Sequence, residues 1–174
     1  MNSNIIIKSA IRFVLLFVFQ VFILKAIALG WWGHVYLHVI LYPLFIILLP
    51  LRTPRALALV LAFFLGLGVD IFYDSPGLHA SATVFIAFVR PILLNFLEPR
   101  EGYNVNYSPT IARMGFQWFW RYAAIMLLLH LFFYFCVLDF SASLMLDILL
   151  KTIFSFIISF AFLLMVVFIF KPVD

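Results

Sequence analysis

Long apolar runs separated by short polar segments make up most of the chain, and each run has the length of a membrane-spanning helix. A helix needs about 20 apolar residues to cross a bilayer, because each residue advances it by about 1.5 Å. The pattern predicts six such spans, at 13–29, 35–51, 56–72, 77–97, 119–137 and 148–170. We therefore expect an all-α fold, a polytopic transmembrane helical bundle.

Composition supports this fold class and excludes an ordinary soluble domain. The chain is 67% hydrophobic and 10% charged, whereas soluble domains are about 45–50% apolar. Its 174 residues leave room for one bundle without a separate soluble domain, so residues 1–174 form one integral membrane domain. The sizeable polar segment is a loop at about 98–117, and the single cysteine, Cys136, lies in an apolar run as an expected packing residue.

The basic residues are divided unequally between the two sides of the predicted bundle. With six spans, eight of them lie on one side and two on the other. Because Lys and Arg concentrate in cytoplasmic loops, both termini are predicted to be cytoplasmic. The net charge of +4 is scattered over helix ends, so we expect no nucleic-acid partner. The two groups are Lys8, Arg12, Arg52, Arg55, Arg100, Arg113, Arg121 and Lys171, against Lys25 and Lys151.

Small residues follow one another at four-residue steps along the third span. They are Ala58, Ala62 and Gly66, and Asp70 continues the same helix face. Small side chains let a second helix approach closely in a membrane. The stripe is therefore predicted to be a contact surface, either with a helix of this bundle or with a partner chain.

Asp70 and Arg90 are ionisable groups inside apolar spans, where each is costly without a partner or water. By helix rise, Asp70 lies about 22 Å and Arg90 about 10 Å from the cytoplasmic ends of their spans. Two structural interpretations stay open: the groups pair, or Arg90 extends to the cytoplasmic side while Asp70 meets water outside. A binding or relay role is a third.

The histidines predict no metal site. His34 and His38 share a helix face at a spacing that metal sites use, but no third ligand lies nearby in sequence. His79 is expected to bond Asp74 or the turn backbone, and His130 to form an interhelical hydrogen bond. Phosphate-loop, nucleophile-elbow and metalloprotease motifs are missing from the sequence. We therefore expect no cofactor and no enzyme activity.

The segment from Gly66 to Pro91 resembles the signature of the MreD family, rod-shape-determining proteins of the bacterial inner membrane. In that signature a glycine-rich helix end carries an Asp and leads into a turn, and Asp74 and Arg90 lie inside the matching segment. The matching residues are Gly66, Leu67 and Asp70 at the helix end, then Pro76, Gly77, Leu78, His79 and Ala80 at the turn.

The resemblance implies a non-catalytic scaffold or regulatory subunit of the cell-elongation machinery, embedded in the lipids of the inner membrane. The partners that it implies are an MreC-like single-span protein, an MreB-like filament, and the peptidoglycan glycosyltransferase and transpeptidase pair. An alternative is the substrate-binding membrane subunit of an energy-coupling-factor vitamin transporter. Such subunits dock their coupling component through small residues on the first helix, whereas the stripe here is on the third.

Overall fold

A computed structural model describes residues 3–26, 28–31, 34–100, 102–104, 107–140 and 144–172. Within these ranges the chain is mostly helical, with one short β-hairpin near the start. The helices are α1 (Ser3–Phe22), α2 (Leu44–Ile47), α3 (Arg55–Tyr73), α4 (Leu78–Phe96), α5 (Ile111–Met114), α6 (Phe116–Asp139) and α7 (Met145–Phe170), and the strands are β1 (Ala28–Trp31) and β2 (His34–His38).

Five helices of the described chain are long and apolar enough to cross a membrane. Helix α3 packs along α4, α4 on α6, α6 on α7, and α1 on α3. Many apolar side chains on the outer faces of α1, α3 and α7 remain exposed, as expected where lipid replaces water. The helical, multi-pass character that the sequence predicts is therefore present. The candidate spans are Ile7–Ala26, Arg55–Tyr73, Leu78–Phe96, Phe116–Asp139 and Met145–Phe170.

The predicted second span, at 35–51, is wrong as a helix. Residues 34–38 form β2, which pairs antiparallel with β1, and only the four residues of α2 are α-helical in the rest of the run. Pro43 explains the break, because the residue before a proline is pushed away from the helical region. An unbroken apolar run does not distinguish a buried helix from buried extended chain.

The buried segment that replaces this helix is residues 39–50, which we call the return segment. Extended backbone at membrane depth is tolerated only where the protein itself satisfies its polar groups. Gln20 of α1 does this from one side: its Nε2 donates to the Val39 carbonyl at 3.0 Å, and its Oε1 accepts from Leu41 N at 2.8 Å. On the other side, Ser159 Oγ of α7 accepts from Ile40 N at 2.9 Å.

The return segment runs antiparallel to α1. Gln20, near the end of α1, bonds Val39 and Leu41, whereas Arg12, nearer its start, donates to the Leu48 carbonyl at 3.1 Å. Helices α1 and α3 consequently run in the same direction. The end of α1 lies beside the end of α3, where Gln20 Nε2 donates to the Tyr73 hydroxyl at 2.9 Å.

The two ends of the bundle can therefore be told apart. We call the end where α1, α3 and α6 begin and α4 ends the basic end, since it holds Arg12, Arg52 and Arg55. Trp118 of α6 donates to the Leu97 carbonyl there at 2.7 Å, which joins the start of α6 to the end of α4. Asp70 and the turn between α3 and α4 lie at the opposite end.

Candidate functional site

The Asp70 carboxylate lies in the last turn of α3 and accepts hydrogen bonds from the backbone at the start of α4. Its Oδ1 accepts from His79 N at 2.8 Å and from Ser75 Oγ at 3.0 Å. Its Oδ2 accepts from Ala80 N at 2.9 Å and from Gly77 N at 3.1 Å. The N-cap of α4 is Gly77, which has no side chain to offer these N–H groups. Asp70 therefore performs the capping that a serine or aspartate at the N-cap would perform.

The turn between α3 and α4 brings the carboxylate to this position. Asp74 ends α3 in the left-handed region at φ 54°, and Gly77 begins α4 at φ 86°. Aspartate and glycine are residues that tolerate such φ values. Asp74, Pro76 and Gly77 are exposed on the turn. Among the described residues, the hydrogen bonds of the His79 side chain go to Asp70 and Ser75 and not to Asp74. The prediction that His79 bonds Asp74 or the turn backbone is therefore wrong, since the side chains of Asp70 and Ser75 take that place.

His79 is fully buried in this site. Its Nδ1 lies 3.0 Å from Asp70 Oδ1 and 3.0 Å from Ser75 Oγ. The rings of Tyr73, Tyr134 and Tyr42 surround it, with centroids at 4.8, 4.9 and 5.8 Å. Its Nε2 has no hydrogen-bond partner among the described residues. The ring therefore links the α3–α4 turn to the aromatic interior of the bundle.

Ser75, His79 and Asp70 bring together the residue types of a hydrolytic triad, but not its geometry. In such a triad the serine bonds one ring nitrogen of the histidine and the carboxylate bonds the other. Here both Ser75 Oγ and Asp70 Oδ1 lie against Nδ1. His79 therefore cannot take a proton from Ser75 at one ring nitrogen while Asp70 orients the ring at the other.

The small-residue stripe of α3 faces α4. Ala58, Ala62 and Gly66 are buried, and a Cβ added to Gly66 would lie 2.4 Å from Ala80 Cα. Backbone therefore meets backbone at Gly66, which only a glycine permits. The sequence predicts that the stripe contacts either a helix of this bundle or a partner chain, and in the structure it contacts a helix of this bundle. Asp70 continues this face and closes it at the far end.

Asp70 and Arg90 do not pair. The Arg90 guanidinium donates to the Leu49 carbonyl through Nη2 and to the Tyr122 hydroxyl through Nε at 3.2 Å. A longer contact of 3.4 Å reaches the Pro50 carbonyl. Arg90 is 4% exposed, so it does not extend outward either. It binds the end of the return segment, a role that the sequence did not indicate because the segment was expected to be helical.

The other histidines also differ in role. His130 Nε2 lies 2.9 Å from the Tyr42 hydroxyl, so the expected hydrogen bond exists, although its partner belongs to the return segment and not to a helix. Among the described residues no group of three His, Cys, Asp or Glu side chains could hold a metal ion. The side chain of His34 lies outside the described part of the chain.

Sequence reasoning missed three contributors to the site: Gln20, Tyr42 and Tyr134. Their side chains come from α1, the return segment and α6, so no local motif connects them. Gln20 carried the one usable signal, because it is an uncharged polar residue in the middle of an apolar run. In a membrane such a residue needs a hydrogen-bond partner, and the structure supplies it in the return segment.

The loop at about 98–117 is anchored to the basic end. Tyr103 donates its hydroxyl to the Leu94 carbonyl at 2.8 Å, and Leu51 N donates to the Tyr107 carbonyl at 3.1 Å. Burial raises the pKa of Tyr103 to about 12, so its hydroxyl remains a donor at any physiological pH. A cavity of about 320 Å³ lies beside Tyr103, between the start of α3 and the end of α4.

Comparisons of the chain with protein-family models, with curated proteins and with solved structures find no match.

Proposed function

We propose that this protein is a non-catalytic scaffold or regulatory subunit of the bacterial cell-elongation machinery, similar to members of the MreD family. The observation that carries the proposal is the α3–α4 hairpin. The residues that resemble the family signature act together there: Gly66 lets the helices touch, and Asp70 caps α4 and bonds His79. That these residues contact one another in one helical hairpin supports the resemblance.

The absence of catalysis is part of this proposal. The polar groups that could suggest a reaction are engaged in holding helices together. Asp70 accepts N–H groups of α4, and Arg90 binds carbonyl groups of the return segment. The Ser75, His79 and Asp70 arrangement lacks the relay geometry of a hydrolase. A structural role accounts for each hydrogen bond that these residues make.

We further propose that the chain crosses the inner membrane six times, with both termini in the cytoplasm. Five crossings are the long helices. The return segment, which runs antiparallel to α1, supplies the sixth. With an even number of crossings, both termini lie on the same side of the membrane as the basic end. The excess of Lys and Arg at this end favours the cytoplasm.

The proposed partners are an MreC-like single-span protein, an MreB-like filament and the peptidoglycan-synthesising pair. The stripe from Ala58 to Gly66 is buried against α4, so a single-span partner cannot dock on it. The exposed apolar faces of α1, α3 and α7 are the surfaces open to such a helix. The anchored loop at the basic end is the surface open to a cytoplasmic filament.

Complementation tests the proposal. The tagged chain would be expressed in a rod-shaped bacterium depleted of its own MreD-family protein, together with the cognate MreC-like protein. We expect rods to be restored and the MreC-like protein to co-purify. Gly66→Leu should abolish both, because the side chain cannot fit against Ala80, whereas Gly68→Ala should retain both.

Two outcomes contradict the proposal. One is round cells and no MreC-like capture at wild-type membrane abundance of the chain. The other is co-purification with an ATPase module and retained vitamin, which would identify a transporter subunit instead. Membrane abundance is measured in every sample, so that a poorly inserted variant is not mistaken for an inactive one.

A further inference from the structure

The cavity at the basic end combines a buried cation, a polar rim and an apolar wall. It has a volume of about 320 Å³ and lies between the start of α3 and the end of α4. Arg90 lies at its buried side, and the exposed residues Arg55, Asn95 and Glu98 line its outer part. The rest of the lining is mainly apolar, with Ala58, Ala87 and Leu94 buried within it.

The charge of Arg90 has no anionic partner in the described chain. Its bonds go to the Leu49 and Pro50 carbonyls and the Tyr122 hydroxyl, all of them neutral groups. Ion pairs among the described residues join His79 with Asp70 and Lys151 with Asp139, and neither involves Arg90. A buried cation without a counter-ion is unfavourable, so an anion that enters the cavity beside Arg90 gains more than it would at the surface.

Arg55 adds a second cation at the mouth of the cavity. Two arginines line one cavity, and guanidinium groups suit a phosphate group, whose oxygens accept several N–H donors at once. Asn95 offers further polar contacts at the rim, while Glu98 opposes an anion there. Among the described lining residues, two arginines and one glutamate give a net charge of +1.

We propose that this cavity binds the phosphate group of an anionic phospholipid. Free phosphate and a lipid headgroup present the same chemistry to the two arginines. The apolar wall favours the lipid, because it can cover the glycerol and the first carbons of an acyl chain. Basic cavities between transmembrane helices on the cytoplasmic side are typical sites for such headgroups. The leaflet rests on the proposed topology, whereas phosphate binding rests on the cavity alone.

The test uses the full chain, purified in a neutral detergent and titrated with dihexanoyl-phosphatidylglycerol, with the thermal unfolding midpoint and native mass spectrometry as readouts. We expect saturable binding to the wild type. Arg55→Gln should weaken it about fivefold, the effect of removing one basic residue from an anionic lipid site. Glu98→Gln should strengthen binding, because it removes a negative charge from the rim.

Arg52→Gln is the matched control. Arg52 is an exposed arginine in the turn before α3, three residues before Arg55, and does not line the cavity, so its loss should leave binding unchanged. Equal weakening by Arg52→Gln and Arg55→Gln would overturn the proposal, since it would indicate general surface attraction. Weaker or unchanged binding in Glu98→Gln would overturn it as well. Arg90→Gln is not used alone, because it also frees the carbonyls of the return segment.

Three further ligands distinguish a lipid headgroup from free phosphate as the source of the bound phosphate group. Glycerol 1-phosphate and inorganic phosphate carry the anion without acyl chains, and dihexanoyl-phosphatidylcholine carries the chains without net charge. We expect each to bind at least about tenfold more weakly than the phosphatidylglycerol. Inorganic phosphate that binds as tightly would overturn the lipid, and phosphatidylcholine that binds as tightly would overturn the role of charge. Neither result bears on complementation of cell shape, so the two proposals fail separately.

Discussion

Asp70 shows how a single carboxylate can be favourable next to hydrocarbon. Burial alone would make its charge costly, by several kcal/mol. This cost is offset by four hydrogen bonds, which come from Ser75 and from N–H groups at the start of α4. The positive end of the α4 dipole offsets it further. The guanidinium of Arg90 donates separately to the return segment and to Tyr122 of α6, which are neutral groups. The two charges inside the predicted spans therefore have independent structural roles.

Asp70→Asn should destabilise the protein by about 3 kcal/mol, because hydrogen bonds to a charged acceptor are lost and two N–H groups then face an amide NH₂. The free energy of unfolding in mixed micelles and the membrane abundance should both fall. Asp74→Asn is the control. Asp74 is exposed on the same turn, and asparagine tolerates its left-handed backbone, so that change should be almost neutral.

Arg90→Gln should not rescue Asp70→Asn. The two side chains share no hydrogen-bond partner, so their effects on the free energy of unfolding should add to within about 0.5 kcal/mol. A double variant that is more stable than either single variant would show that the charges do interact. The double-mutant cycle is measured in the same micelles as the single changes.

Gly66 and Gly68 make a matched pair on α3. A Cβ at Gly66 meets Ala80 Cα at 2.4 Å, whereas one at Gly68 meets the flexible end of the Phe17 ring at 2.9 Å. Gly66→Ala should therefore cost about 1–3 kcal/mol through overpacking. Gly68→Ala should change stability little, because the ring can shift and alanine favours the helix by about 1 kcal/mol. Equal effects in unfolding measurements would contradict the close contact of α3 with α4.

At the scale of elements, the return segment is where the structure differs from what the sequence pattern predicts. The long helices follow from apolar runs of about 20 residues, and the small-residue stripe indicated its contact face. The return segment has the same apolar composition, but Pro43 breaks the helix and the backbone bonds go to Gln20 and Ser159. These partners are remote in sequence, so hydropathy could not identify them. The Asp70 site was found only in part for the same reason.

Ser159→Ala tests the non-helical backbone of the return segment. Ser159 Oγ accepts from Ile40 N at 2.9 Å, and its loss leaves a buried N–H unsatisfied, at a cost of about 1–3 kcal/mol. Ser81→Ala is the control, since Ser81 Oγ donates to the Leu78 carbonyl of its own helix and should cost less than about 0.5 kcal/mol. Amide hydrogen exchange at Ile40 should accelerate only in the first variant; identical exchange in both would refute the bond.

At the scale of the whole molecule, the return segment determines the parity of the fold. The ends of α1 and α3 lie together, where Gln20 donates to Tyr73, so the chain between them must travel back along the bundle. Ala26 follows α1, and Arg52 follows the return segment. If the long helices alone crossed the membrane, these two residues would lie on the same side. If the return segment also crosses, they lie on opposite sides.

Single cysteines decide between these topologies. In a Cys136→Ala background, which removes the one native cysteine, cysteine replaces exposed Ala26, Arg52 or Asp74 in turn. We expect an impermeant maleimide added to spheroplasts to label positions 26 and 74, and to label position 52 only after lysis. The proposed six crossings require this result, because position 52 is at the basic end and the other two are opposite. Labelling of positions 26 and 52 from the same side would contradict the crossing by the return segment. Labelling of position 52 alone from outside would instead show that the whole bundle has the opposite orientation, which would place the phosphate-binding cavity in the outer leaflet.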